Sequence, residues 1–202
     1  MTGTTSTRDK ILAKGLAMAS ETGLEGLTIG ALARAADLSK AGLYAHFESK
    51  DEILAEILRT AVERFVREGV RPALREPRGE PRVRALFEAW LEWTRATPLP
   101  GGCVFISSAA ELDDREGPLR DYLVSAQREW RELLRGSVET AREEGHFSPD
   151  VDVRQFVFEL YSVVLAFHYY HRLFRDPTAE PRARYAFERL VRRARGERVP
   201  GR

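Results

Sequence analysis

Between residues 38 and 54 the chain reads LSKAGLYAHFESKDEIL, a stretch in which small residues alternate with hydrogen-bond donors. On a helical wheel Leu43 and Phe47 point one way, and Ala41, Tyr44, Ala45 and Glu48 point the other. A helix whose outward face is small can bring its backbone close to base edges, and an alanine methyl can pack on a thymine methyl. Lys40, at the start of that helix, is the one side chain here able to donate to guanine O6 and N7. Tyr44 and His46 can donate to phosphate oxygens and Lys50 can neutralise one, so aromatic and basic groups would ring the small face and fix its register. Singly, each has a plainer role: Tyr44 as a surface aromatic, His46 as an offset to a helix dipole. As a set at this spacing they indicate DNA binding.

The flanking sequence supplies the elements that must hold this face. Ile11, Leu12, Leu16 and Ala19 recur at helical spacing, with Gly23 where a left-handed stop belongs. Thr28 can cap a short second helix with Ile29, Leu32, Ala33 and Ala36 on one face and Arg34 on the other. Asp37 falls in the turn, and Ser39 can cap the third helix, with Leu38 and Leu43 placed as a hydrophobic staple. Two short helices joined this way have the geometry of a helix-turn-helix, whose second helix lies in the major groove. Ser49 and Glu52 form a capping box for a fourth helix with the stripe Ile53, Leu54, Ile57, Leu58, Ala61, Val62, Phe65 and Val66. The amides that open helices two and four are further places for phosphates.

TIGALARAADLSKAGLYAHFESKDEIL, with ILAKGLAMASETGLEGL before it, resembles the N-terminal domain of the TetR-type, tetracycline-repressor-like regulators, over about residues 8 to 55. The resemblance rests on Phe47 after Tyr44 and His46, on Lys50, on Thr28 and on the Ala33 and Ala36 pair; Asp37 stands where the family often has glycine. It implies a dimeric, all-helical bacterial transcription factor, usually a repressor, released from its operator by a small ligand in the C-terminal domain. Transferred to this chain, it implies that Thr28, Tyr44, His46 and Lys50 touch phosphates and that Ser39, Lys40, Ala41 and Gly42 face the groove. Its implied partners are a palindromic double-stranded operator, a small-molecule effector and a second copy of the chain bound through the last two helices. Two reader helices about 34 Å apart fit such a site.

Composition sets bounds on this reading. Lys and Arg total 32 against 31 Asp and Glu, so DNA contact must come from a local patch. All four lysines, Lys10, Lys14, Lys40 and Lys50, lie in the first quarter. One cysteine precludes an internal disulfide, and no secretory leader or apolar run approaching the roughly 18 residues of a membrane span is visible. The expectation is a cytoplasmic protein without a membrane partner.

Past the fourth helix, RPALREPRGEPR at 71–82 reads as a linker. Helical faces follow: Val83, Leu86, Phe87, Trp90 and Thr94 up to a stop at TPLPGG; a segment from Gly102 to Leu112; then Leu119, Leu123, Ala126, Trp130, Leu133 and Leu134 in a long helix ending near Gly145. Asp152 and Gln155 open a helix over 152–175 that is apolar nearly all round, through Phe156, Leu160, Val163, Phe167, Tyr170 and Phe174 and through Val153, Val157, Tyr161, Val164 and His168. It needs cover on two sides; a last helix over 183–195 supplies one and a second chain the other. No segment alternates as a strand. The expected fold is all-α: an N-terminal three-helix helix-turn-helix domain (residues 1–50), joined by the long fourth helix to a C-terminal helical effector and dimerisation bundle (51–202).

Effector chemistry is faintly written. Phe87, Trp90, Trp93, Cys103, Phe105, Trp130, Tyr161 and His168 are the candidate lining, suited to an apolar or aromatic ligand with one or two hydrogen bonds, although core filling is the commoner role for each aromatic. Cys103 begins a helix whose dipole could lower its thiol pKa, as in redox sensors; a buried small residue is the commoner fate. His168 and His171 are spaced to share a metal, but no carboxylate or cysteine pattern accompanies them, so neither metal nor cofactor is expected. ELDDREGP at 111–118 reads as an acidic loop, and the arginine-rich end as a solvated helix face and tail. An enzyme with Cys103 as nucleophile served by His168 or His171 lacks any supporting motif, and a dimeric interaction protein that does not bind DNA is the remaining alternative.

Overall fold

The computed structural model describes residues 6–95 and 99–197. The polar start at 1–5, the Thr97 and Pro98 of the expected helix stop, and the end of the basic tail at 198–202 lie outside the described residues. Within them the chain is helical, without a strand: α1 Thr7–Thr22, α2 Ile29–Ala35, α3 Lys40–Tyr44, α4 Lys50–Phe65, a π turn Val66–Val70, α5 Arg71–Ala73, α6 Glu80–Arg95, α7 Val104–Leu112, α8 Pro118–Glu143, α9 Val153–Arg172 and α10 Ala179–Ala194. The all-helical architecture agrees with the periodicity.

Two compact units emerge, each drawing on separated stretches: residues 1–65 with 95–126, and residues 66–94 with 127–202. In the first, α1 packs on α2, α4 and α7, and α2 on α3. Ile11, Leu16, Leu32, Leu43, Ile53, Ile57 and Leu58 form its fully buried core. Ser6 caps α1 in a capping box with Asp9. Arg8 of α1 is held by Glu56 at 3.0 Å and Glu52 at 3.4 Å, and its guanidinium lies 4.7 Å from the centre of the Phe47 ring. That cation–π contact ties α1 to the turn after α3.

In the second unit α9 and α10 are the main packed pair. Phe87 of α6 stacks on Phe187 of α10, with ring centres 3.9 Å apart. Glu80, nearly buried at the start of α6, accepts from Arg84 at 2.6 Å and from Arg195 at 2.7 and 2.5 Å. Burial pushes the Glu80 carboxyl up, and the hydrogen bonds from Arg195 and Arg84 more than reverse this, leaving it below its ordinary value.

Three expectations need correction. The stretch 71–82 is only partly a linker, because helix continues through the π turn to Ala73 and resumes at Glu80. A proline ring collides with the carbonyl four residues earlier, and the wider π turn precedes Pro72; Pro81 lies in the first turn of α6, where a missing N–H costs nothing. The helix foreseen over 152–175 ends at Arg172, which leaves Phe174 beyond it and exposed. The last helix begins at Ala179 rather than residue 183.

Candidate nucleic-acid interface

The helix-turn-helix is assembled by short-range hydrogen bonds. Thr28 Oγ1 accepts from the Ala31 N–H at 3.2 Å and Ser39 Oγ from the Gly42 N–H at 2.9 Å, so both hydroxyls cap helices and retain a proton to donate outward. Asp37 takes φ 57°, the left-handed conformation, and the Leu38 N–H turns back to the Ala33 carbonyl at 2.9 Å. The turn is thus made without glycine, by a residue type that visits this region more readily than most.

The reader helix α3 is one turn long, which places Ala45 at its end and His46 in the turn beyond it. Leu43 and Phe47 are buried, whereas Ser39, Lys40, Ala41, Tyr44, Ala45 and His46 are exposed and Gly42 is half-buried. Tyr44 retains 45% of its surface. Lys50, half-buried, is the first residue of α4. Ser49 Oγ caps that helix through the Glu52 N–H at 3.1 Å, but Glu52 reaches the N–H of Glu48, one residue before the cap, at 2.6 Å. The expected reciprocal box is therefore displaced by one residue.

The segment 99–115 grips the end of α1 and the loop after it, all within the first unit. The Gly101 N–H donates to Ser20 Oγ at 3.1 Å. The Glu111 carboxylate accepts from the N–H of Leu24 at 2.9 Å and of Glu25 at 3.4 Å, and Arg115 pairs with Glu25 at 2.9 Å. Gly23 and Gly101 permit this approach: a Cβ on Gly23 would stand 1.5 Å from a Glu111 oxygen, and one on Gly101 1.5 Å from the Ser20 carbonyl oxygen. Pairwise helical spacing contains no signal for these bonds, and the sequence reading missed them.

The candidate effector residues divide between the units. In the second, Trp90 meets Trp130 edge-on with centres 5.5 Å apart and Tyr161 at 4.7 Å, and the Tyr161 hydroxyl donates to Gln127 at 3.4 Å. Phe87 turns to Phe187, and Trp93 is buried on α6. His168 is half-buried with Nδ1 unpartnered; burial first, then Arg172 and His171, keep its imidazole below the usual range. Cys103 and Phe105 belong to the first unit: Cys103 is buried at the N-cap of α7, and Phe105 contacts Phe65 edge-on at 6.2 Å. Two open clefts by α9 and α10, about 440 and 360 Å³, are lined by His171, Arg172 and Arg175 and by Asp152, Glu159 and Arg193. None of the eight candidates lines either cleft. Among the described residues no three His, Cys, Asp or Glu gather as metal ligands, and no helix is long and apolar enough to cross a membrane.

A capped helix-turn-helix in an all-helical chain defines a DNA-binding transcription regulator. The model of bacterial regulatory proteins of the tetR family matches residues 11–57, and that of the tetracyclin repressor-like C-terminal domain matches residues 79–187. The chain belongs to the TetR family. A TetR transcriptional regulator from Chloroflexus aurantiacus is 27% identical over 92% of both chains, with a TM-score of 0.79. PfmR from Thermus thermophilus is 28% identical over 98% of this chain and 100% of its own, with a TM-score of 0.69. AibR, solved with isovaleryl coenzyme A and operator DNA, shares the fold at 20% identity over 96% of this chain and 100% of its own, with a TM-score of 0.74. No curated protein sequence matches the chain.

Proposed function

We propose that this regulator is a ligand-responsive repressor which binds a palindromic operator as a homodimer and acts in the cytoplasm without enzymatic turnover. The observation that carries the DNA-contact assignment is the surface of α3: Lys40, Tyr44 and His46 are exposed around small Ala41, Gly42 and Ala45, over a base of buried Leu43 and Phe47. Ser39, Lys40, Ala41 and Gly42 face the groove, and Thr28, Tyr44, His46 and Lys50 contact phosphates. Residues 1–50 are the DNA-binding domain, and the remainder serves the effector and the dimer.

Support for the dimer comes from α9 and α10, which leave Phe158, Leu165, Tyr169 and Tyr185 exposed. Exposed large apolar and aromatic side chains on the last two helices support an interface there. Support for a small effector comes from the Trp90, Trp130 and Tyr161 cluster, one hydroxyl among three rings, and from the ligand and operator bound by AibR. Effector binding then shifts the population away from the spacing of reader helices that fits the operator.

The test is anisotropy binding of DNA from upstream of the protein's own gene across a salt series, beside Tyr44→Ala. Tight, salt-sensitive binding weakened in the variant supports the reading. Failure to bind that DNA and random genomic fragments would refute it in favour of a dimeric interaction protein.

A further inference from the structure

Arg34, on the outer face of α2, was absent from the expected contacts, yet it meets Lys40 at one spot. A Cβ built on Gly30, the second residue of α2, would lie 3.5 Å from Lys40 Cε and 3.6 Å from Arg34 Nη1, so both cationic side chains close over the same point of the helix. Both residues are exposed, and among the described residues neither has a carboxylate partner. Three arginines of this unit are paired instead with carboxylates: Arg8 with Glu52 and Glu56, Arg59 with Glu56, and Arg115 with Glu25. Two cations without carboxylate partners that both lie against one point of α2 disfavour each other, and an anion between them reverses the sign of the electrostatics.

We propose that Arg34 and Lys40 jointly grip a single backbone phosphate of bound DNA above Gly30. The proposal rests on the DNA-binding reading and revises one contact within it, moving the Lys40 charge from the groove to the backbone. Arg34 offers a fork of N–H donors to two phosphate oxygens, Lys40 adds a compact charge from the other side, and the absence of a side chain at Gly30 keeps the approach open. The first helix of a helix-turn-helix crosses the DNA backbone, and Gly30 and Arg34 lie on that helix, with Lys40 reaching them from the start of the second. Lys40 then serves to set register rather than to read guanine, and its loss weakens binding to all sequences alike.

The experiment measures anisotropy of the full chain with two duplexes of equal length, one from upstream of its own gene and one unrelated, across a salt series. The variants are Arg34→Gln, Lys40→Gln, the double variant, Gly30→Glu and its uncharged counterpart Gly30→Gln. One shared phosphate predicts that the double variant lowers the log–log salt slope by about 0.9 per DNA-binding head, with each single variant lowering it by less. Gly30→Glu seats a carboxylate in the phosphate's place and loses as much affinity as the double variant, whereas Gly30→Gln loses much less. A double-variant change of about 1.8 per head would mean two independent phosphates, and an unchanged slope would mean none; either overturns the proposal. So does a Lys40→Gln effect confined to one duplex, which would make Lys40 a base reader. A wild-type protein that binds neither duplex refutes the underlying DNA-binding reading instead.

Discussion

Replacing Glu111 by alanine tests whether segment 99–115 holds the loop between α1 and α2. The carboxylate accepts from the Leu24 N–H at 2.9 Å and, more weakly, from the Glu25 N–H at 3.4 Å. Leu24 is fully buried, so water does not readily replace the lost acceptor. A hydrogen bond to a charged group contributes about 1.5–3 kcal/mol, and the 3.4 Å contact adds little. The expected loss is about 2 kcal/mol, or about 4–8 °C in melting temperature for a chain of this size. Glu111→Gln keeps an oxygen acceptor without charge, and about half the loss is expected. The assay is urea unfolding of both variants at one protomer concentration, because dimerisation would otherwise shift the midpoint, with hydrogen exchange at the Leu24 amide as the local readout. If Glu111→Ala unfolds within about 0.5 kcal/mol of the parent and Leu24 exchanges no faster, the carboxylate does not hold the loop and the reasoning is wrong.

Three further outcomes follow from other parts of the molecule. Glu80 has its carboxyl held below the ordinary value, so its stabilisation is complete above the unfolded carboxylate range and disappears as pH falls through the lower folded value. Glu80→Gln is expected to cost about 1–2 kcal/mol near neutral pH, the partly exposed arginines weakening the effect, and to flatten the acid limb of melting temperature against pH; an unchanged limb would count against the network. Phe158 is 67% exposed on α9, so Phe158→Arg should leave the protomer folded while weakening the proposed dimer by about 30-fold or more, measured by sedimentation. An unaltered dimer would place the interface elsewhere. Gly101→Ala puts a Cβ 1.5 Å from the Ser20 carbonyl oxygen and should lower stability by about 2 kcal/mol or more, and a parent-like melt would show that the loop moves aside freely.

What the sequence determined by itself is the part governed by interactions within one or two helical turns. Thr28 and Ser39 cap the helices they precede because their hydroxyls need only reach an amide three residues on. Leu43 is buried because helical spacing turns it to the inner side of α3, and Asp37 accepts the left-handed turn because its type tolerates it. Tertiary structure alone decided which distant groups meet. Leu24 and Glu111 are 87 residues apart, and neither carries a local mark of the other. Trp90 turns to Trp130 and Tyr161 while Phe87, three residues earlier, turns to Phe187; both were equally apolar in the pattern, and packing against different helices separated them. The closure of Arg34 and Lys40 over Gly30 depends on the angle between two short helices, which residue spacing does not encode and the packing of their buried faces sets.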